Sequence, residues 1–226
     1  MAASFSASHG FTPAPITCPG CHAALAGPVD QCPYCGYNAW TCVDRFPYSP
    51  PPLDRYIDIE NRLSNEDRAR IDRAIDELES DLPQVRIYIC LVKLLHGTDA
   101  RECGFWMLNA SVPRDEEETG HRPWSVLLLV DLQASAASAT VGYGLDPFVA
   151  DAELREALEA GQREFESANF SAAVLKFIHH MHRVLKRAHR TALTTSRRRD
   201  RERTVIAPRN PPPSNTSTFR VRHPES

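Results

Sequence analysis

Two cysteine pairs near the amino terminus constrain the fold of this 226-residue chain more than any other feature. Cys18 and Cys21 are separated by two residues, as are Cys32 and Cys35, and the whole pattern is C-x2-C-x10-C-x2-C. Four thiolates presented by two tight turns offer Zn²⁺ the tetrahedral sulfur set that it prefers. Because about 40 residues bury too little apolar surface to fold alone, the metal would stabilise this segment. The pattern predicts a structural zinc ribbon over residues 14–44.

Two disulfides are the alternative interpretation of the same four cysteines. They are disfavoured because the amino terminus has neither the basic start nor the apolar segment of a secretory signal. A catalytic dithiol is also disfavoured, since two matched pairs fit a closed structural site better. The ribbon contains no Lys or Arg before Arg45. Without cations it lacks the charge that nucleic-acid binding requires, and we expect it to contact protein instead.

The balance of acidic and basic side chains divides the rest of the chain into two segments. Residues 54–176 carry 24 acidic and 13 basic side chains, whereas residues 177–226 carry three acidic and 12 basic ones. We expect a proline-rich, exposed linker at 45–53, a folded domain at 54–190 and a disordered basic tail at 191–226. The longest apolar run is far shorter than the ~20 residues of a membrane span. The sequence therefore predicts a cytoplasmic protein without a membrane span.

The hydrophobic pattern of residues 54–190 alternates between strand and helix periods. Val85–Val92 and Ser125–Leu132 are almost entirely apolar, as strands covered on both faces would be. Ser64 and Asp67 form a predicted capping box, and apolar residues follow it at helical spacing. Alternation of this kind is typical of α/β layer structures. We predict a sandwich of about four strands with flanking helices.

Two stretches of this segment resemble the TPM domain family. The run YIDIENRLSNEDRARIDRAIDELES is similar to the family's opening, and SVLLLVDL through VGYGLDPFVADAEL is similar to its later strands, Gly-Tyr-Gly-Leu-acid turn and acid-capped helix. The resemblance covers about residues 54–188. It implies a Rossmann-like α/β sandwich. For some family members it also implies phosphatase activity or calcium binding, and for others a role in assembling and repairing membrane complexes.

Seven residues form a candidate site for a ligand or a divalent cation. Ligands of open α/β sheets gather where strands end and helices begin, and glycines there let the backbone approach a ligand. Carboxylates could hold Ca²⁺ or Mg²⁺, and metal-assisted phosphate hydrolysis would follow. The candidates are Asp58, Asn109, Asp131, Gly142, Gly144, Asp146 and Asp151.

A structural role is the alternative for these residues. Gly142 and Gly144 would then serve a turn, Asp151 would cap a helix and Asp58 would hold a loop. The histidines of the last helix are expected on a solvated basic face, because Lys and Arg residues share that helix. Catalytic residues stay unassigned, since no nucleophile–base pattern or phosphate-binding loop stands out.

The sequence favours a protein-interaction or scaffold module, because a strong structural metal site stands beside no convincing catalytic pattern. A divalent-metal-dependent phosphatase is the alternative. A weaker third possibility is nucleic-acid binding through the Arg-rich stretch 197–203 of the tail.

Overall fold

A computed structural model of the chain describes residues 16–21, 23–26, 29–112 and 121–206. In chain order the elements are β1 (Ile16–Thr17), β2 (Ala24–Leu25), α1 (Ala39–Arg45), β3 (Tyr56–Asp58), α2 (Asn65–Asp81), β4 (Arg86–Val92), α3 (Ala100–Ala110), β5 (Ser125–Asp131), β6 (Ala136–Val141), α4 (Asp151–Ala160), α5 (Gln162–Glu166) and α6 (Phe170–Ile206). Strands and helices alternate from α1 to β5.

Within the described residues, the central sheet has four strands in the order β3-β4-β5-β6. β3, β4 and β5 are parallel, and β6 pairs antiparallel with β5. The parallel strands are joined by crossovers through α2 and α3, as parallel pairing requires. The fold class predicted from the sequence, an α/β sandwich of four strands with flanking helices, is confirmed.

The two faces of the sheet bury two separate cores. Along β4, Ile87, Ile89 and Leu91 point to one face and Tyr88 and Cys90 to the other, because strand side chains alternate. The first core packs the sheet against α2, α4 and α6. The second packs it against α3. Cover on both faces explains the uninterrupted apolar runs of β4 and β5.

The ribbon is part of the second core. Cys18, Tyr37 and Cys42 are buried together with residues of α3 and the sheet. The linker after α1 was expected to be exposed, but Phe46 and Leu53 are 5% and 1% exposed. Apolar side chains at both ends of the linker anchor it, so its prolines only bridge between two buried contacts. Ribbon, linker and α/β domain belong to one compact unit that ends at Ala188.

The last helix is longer than predicted. α6 continues to Ile206, past Arg190, where a disordered tail was expected to begin. Residues 191–206 contain no Gly or Pro and are rich in Arg, so no residue in this stretch breaks the helix. The second compact unit starts at His189 and includes this part of α6, on which the Arg-rich stretch lies. The disorder predicted for residues 207–226 concerns residues outside those described.

Candidate metal centre and adjoining cleft

The four cysteines of the ribbon converge on one point. Their Sγ atoms all lie within 4.8 Å of one another. Cys18 Sγ is 3.7 Å from Cys35 Sγ, and Cys21 Sγ is 3.8 Å from Cys32 Sγ. A metal with four sulfur ligands at about 2.3 Å has sulfur–sulfur edges of about 3.8 Å in a tetrahedron. The cluster therefore fits a single tetrahedral metal ion, and all four thiols are free of disulfides.

The backbone around the cluster favours thiolates. Gly20 N–H donates to Cys18 Sγ at 3.4 Å. Burial acts to raise the pKa of the Cys32 thiol, but backbone N–H groups of Cys35 and Tyr34, together with the Cys18 and Cys35 side chains, lower the pKa to about 7. Burial raises the pKa of the Cys18 thiol. Because the metal binds thiolates, loading this site releases protons and weakens as the pH falls.

Three contacts join the end of α1 and the start of the linker to α3 of the α/β domain. The Phe46 ring stacks on the Trp106 ring of α3 at 4.7 Å between centroids, and the Tyr48 ring meets Trp106 edge-on at 5.2 Å. Arg45 Nη1 donates to Glu102 Oε2 of α3 at 2.5 Å. The Glu102 side chain is 5% exposed, so this carboxylate depends on Arg45 for its charge partner.

A cleft of about 730 Å³ adjoins the metal centre. Its walls come from the ribbon, α3, β6 and α4. Its size is within the range of ligand-binding sites. Charged side chains from four segments line it, namely Asp30 of the ribbon, Arg101 of α3, Asp146 of the turn after β6, and Asp151 and Arg155 of α4.

Two of the seven predicted site residues, Asp146 and Asp151, line this cleft. Burial, and then the charge of Asp151, raise the pKa of Asp146. Asp151 Oδ2 lies 3.5 Å from Arg101 Nη2. Asp151 was predicted to cap α4, but it is the first helical residue, and Ala150 occupies the cap position. The carboxylate of Glu153, and not that of Asp151, accepts the Ala150 N–H, at 2.9 Å. Asp151 lines the cleft instead.

Asp58 stabilises a loop at the carboxyl end of β3. Its side chain is 1% exposed. The carboxylate accepts hydrogen bonds from the backbone N–H groups of Arg62 and Leu63, at 2.8 and 3.0 Å, and from the Arg68 guanidinium at 3.1 Å. These hydrogen bonds agree with the alternative interpretation of the sequence, in which Asp58 holds a loop.

Asp131 and Asn109 also make local hydrogen bonds. Asp131, at the carboxyl end of β5, accepts from the backbone N–H groups of Leu94 and Gln133 at 3.2 and 2.9 Å. The Asn109 amide donates to the Phe105 carbonyl one turn earlier in α3, at 2.8 Å. Neither residue lines the cleft.

Gly142 and Gly144 allow close backbone packing. A Cβ atom at Gly142 would lie 2.2 Å from the Arg122 carbonyl oxygen, and one at Gly144 would lie 2.7 Å from the Pro123 carbonyl oxygen. Because β6 runs antiparallel to β5, the turn at Gly142 and Gly144, which follows β6, lies at the opposite end of the sheet from the carboxyl ends of β3 and β5. The seven predicted residues thus do not come together in one site.

The expectation of a fully solvated histidine face is wrong at His182. This residue is 9% exposed, and its Nε2 lies 2.8 Å from Asp81 Oδ2 on α2. Lys186 Nζ contacts the same carboxylate oxygen at 2.7 Å.

The sequence did not indicate Arg101 and Arg155 of the cleft, because no motif spacing links residues on separate helices.

The fold and the site define the class of this protein: a mixed α/β domain with a four-cysteine cluster able to hold a metal ion. The model of the TPM domain family matches residues 56–184. The chain belongs to the TPM domain family, which confirms the resemblance drawn from its sequence. No curated protein matches the chain significantly. None of the described helices combines the length and the apolar content needed to cross a membrane.

Three of the solved structures that match the chain were determined by NMR. The BA42 protein of the psychrophile Bizionia argentinensis is 19% identical, with a TM-score of 0.49 over 57% of this chain and 86% of that one. The N-terminal domain of the cg2496 protein from Corynebacterium glutamicum is 15% identical, with a TM-score of 0.44 over 57% and 78%. The N-terminal domain of a P. gingivalis protein is 15% identical, with a TM-score of 0.45 over 64% and 87%.

Proposed function

We propose that this chain is a protein-interaction module in which a zinc-stabilised ribbon presents an apolar surface on a TPM domain. Cys18, Cys21, Cys32 and Cys35 would hold the Zn²⁺. When bound, the ion supplies a crosslink between the two cysteine turns. The chain's own residues supply the rest of the ribbon's order, through the stacked Phe46 and the buried Tyr37.

The single observation that carries this proposal is the exposure of large apolar side chains on the ribbon. Trp40 is 77% exposed and Tyr34 is 70% exposed. Val43 follows Trp40 by three residues on α1 and so lies on the same side of that helix. Aromatic side chains exposed in this way are costly in water and are enriched where proteins bind proteins.

Charge supports a protein partner for this ribbon surface. Among the described ribbon residues the charged side chains before Arg45 are acidic, Asp30 and Asp44. Arg45 itself is paired with Glu102. A nucleic-acid partner would need cations at this surface to displace counterions.

The test is differential capture on the zinc-loaded full chain. Cell extract is passed over the wild-type chain, the variant Trp40→Ser and the matched control Ile59→Ser, whose side chain is 71% exposed on the α/β domain. A protein held by the wild type and the control but lost with Trp40→Ser is then purified and titrated. We expect at least about tenfold weaker binding to Trp40→Ser. Equal binding to all three proteins would contradict the proposal.

A divalent-metal-dependent phosphatase is the second candidate. Asp146 and Asp151 line the same cleft, and the charge of Asp151 acts on Asp146, which favours this candidate because neighbouring carboxylates suit Ca²⁺ or Mg²⁺. Arg155 lines the same cleft and could contact a phosphate oxygen.

Phosphatase activity is tested with a phosphomonoester, p-nitrophenyl phosphate, and Ca²⁺, Mg²⁺ or Mn²⁺. If the second candidate is right, turnover by the full chain falls at least about 100-fold in Asp146→Asn. It stays unchanged in Glu77→Gln, an exposed position on α2. No metal-dependent turnover by the wild type would remove this candidate.

A further inference from the structure

The free edge of β6 is the feature from which a further inference follows. β6 is the last strand of the sheet, so one of its sides has no neighbouring strand among the residues that the structure describes. Natural proteins usually protect such an edge with Lys, Pro or a bulge. The sequence of β6 is AASATV, which has no charged residue and no Pro, and it pairs with β5 without a bulge.

The register shows which backbone groups of β6 are unpaired. Gly142 N–H donates to the Ser125 carbonyl at 2.8 Å, so alternate residues before Gly142 also bond to β5. The residues between them, Ala137, Ala139 and Val141, therefore direct their N–H and C=O groups away from β5. In the described part of the chain, no other backbone group is hydrogen bonded to these three residues.

The cleft runs along this edge. All five consecutive residues 137–141 line it, although their side chains alternate between the two faces of the sheet. Only a space beside the strand's edge can contact side chains of both faces. α4 forms the wall on the side of the first core, while α3 and the ribbon form the wall on the side of the second core.

These walls select the shape of the occupant. They flank the edge of β6 on both sides, so a single extended strand fits between them more readily than the sheet of a second folded copy. Five residues of extended chain span about 13–17 Å, the length of the exposed edge. The volume of about 730 Å³ is enough for a short peptide.

The lining also selects the chemistry of the occupant. Beside β6 the cleft is lined by small and apolar side chains such as Leu154, Leu158 and Phe105. Its charged side chains are Asp30, Arg101, Asp146, Asp151 and Arg155, of which Arg101 and Asp151 form an ion pair at 3.5 Å. An uncharged segment would avoid burying an unpaired charge there.

We propose that the cleft binds an uncharged, extended peptide segment of another protein, rich in small and β-branched residues, as a fifth strand antiparallel or parallel to β6. Backbone hydrogen bonds to Ala137, Ala139 and Val141 would give the affinity, and α3, α4 and the ribbon would select the side chains. The proposal rests on the proposed function only in assuming that the chain binds proteins, since it uses a surface separate from Trp40.

The probe is a phage-displayed library of random seven-residue peptides, selected on the zinc-loaded full chain. An enriched peptide is synthesised and titrated against the wild type, Ala139→Pro and the matched control Ala139→Ser. Proline removes an outward N–H without removing a bond to β5, whereas serine keeps it. We expect at least about tenfold weaker binding to Ala139→Pro and unchanged binding to Ala139→Ser.

Hydrogen exchange on the wild type keeps the test independent of whether Ala139→Pro folds. Peptide binding should slow exchange of the outward amides of Ala137, Ala139 and Val141, while the amides of Ser138 and Thr140 change little. Protection elsewhere, no enrichment of peptides, or protection of these amides in the free chain by its own segments or a second copy would overturn the proposal. Trp40→Ser should bind the peptide normally, so failure of the ribbon surface and failure of this edge are distinguishable.

Discussion

Arg45, at the end of α1, and Glu102, on α3, form an ion pair in which the carboxylate is almost fully buried. Glu102 is a carboxylate with a 5% exposed side chain on α3, and Arg45 is the last residue of α1. A buried charge that loses its partner costs more than the pair contributes, because the desolvated carboxylate remains. The ribbon therefore satisfies an electrostatic requirement of the domain beside it.

Arg45→Met should lower the free energy of unfolding by about 2 kcal/mol, less than for a fully buried pair because half of the Arg45 side chain is exposed. The double variant Arg45→Met with Glu102→Met should recover much of that loss, since no unpaired charge remains. Urea unfolding at pH 7 measures both. The control Arg62→Met removes an exposed pair and should change stability by less than about 1 kcal/mol. Equal losses in Arg45→Met and Arg62→Met would contradict this role.

Gly142 is a second residue whose identity the packing determines. Gly142→Ala places a methyl group against the Arg122 and Pro123 carbonyl oxygens, at 2.2 and 2.6 Å before any shift. The backbone has to move, and we expect a loss of about 2–3 kcal/mol on unfolding by urea. Wild-type stability in this variant would show that the turn is not held closely against residues 122–123.

At the scale of elements, the start of α2 is the clearest case of sequence chemistry determining structure. Ser64 Oγ accepts the Asp67 N–H at 3.1 Å, and the Asp67 carboxylate accepts the Ser64 N–H at 3.0 Å. The Ser64 hydroxyl also donates to that carboxylate, which holds the pKa of Asp67 below its usual range. This reciprocal box was predicted from the sequence and is confirmed.

Asp67→Asn should cost about 1 kcal/mol at pH 7, as the loss of a helix cap does. A carboxyl group with a lowered folded pKa stabilises the protein above its unfolded pKa of about 3.9, and this stability is lost as the pH falls towards the folded value. The difference between wild type and variant should therefore shrink below about pH 4. Thermal unfolding between pH 3 and 7 measures it, and a pH-independent difference would contradict the assigned role.

Hydrophobic periodicity predicted the individual strands and helices better than it predicted how they are arranged in the fold. The apolar runs of β4 and β5 and the helical spacing of α2 each depend on local pattern, and they were recovered within a few residues. The reversed direction of β6 was not foreseen, because alternation of small residues is the same for parallel and antiparallel strands. For that reason Asp58 and Asp131 were grouped with the turn at Gly142 although they lie at the other end of the sheet.

At the scale of the whole molecule, the ribbon is a part of the fold and not a separate appendage. It completes the second core and forms one wall of the cleft. The cysteine spacing predicted the ribbon and its candidate ligands. An apolar pattern shows which side chains are buried, but it does not show which part of the chain packs against them. The contacts of Phe46 with Trp106 and of Arg45 with Glu102 join segments far apart in the chain, so no local pattern could reveal them.

The measurement that most directly tests the proposed stabilisation of the ribbon by zinc is native mass spectrometry of the full chain as wild type and two cysteine variants. The wild type and Cys42→Ser, whose altered cysteine is buried but outside the cluster, should each carry one Zn²⁺. Cys32→Ser, which removes one of the four sulfur ligands, should lose the ion at the same zinc concentration. A chain without metal, with iron instead of zinc, with disulfides among the four cysteines, or with equal zinc in Cys32→Ser would contradict it.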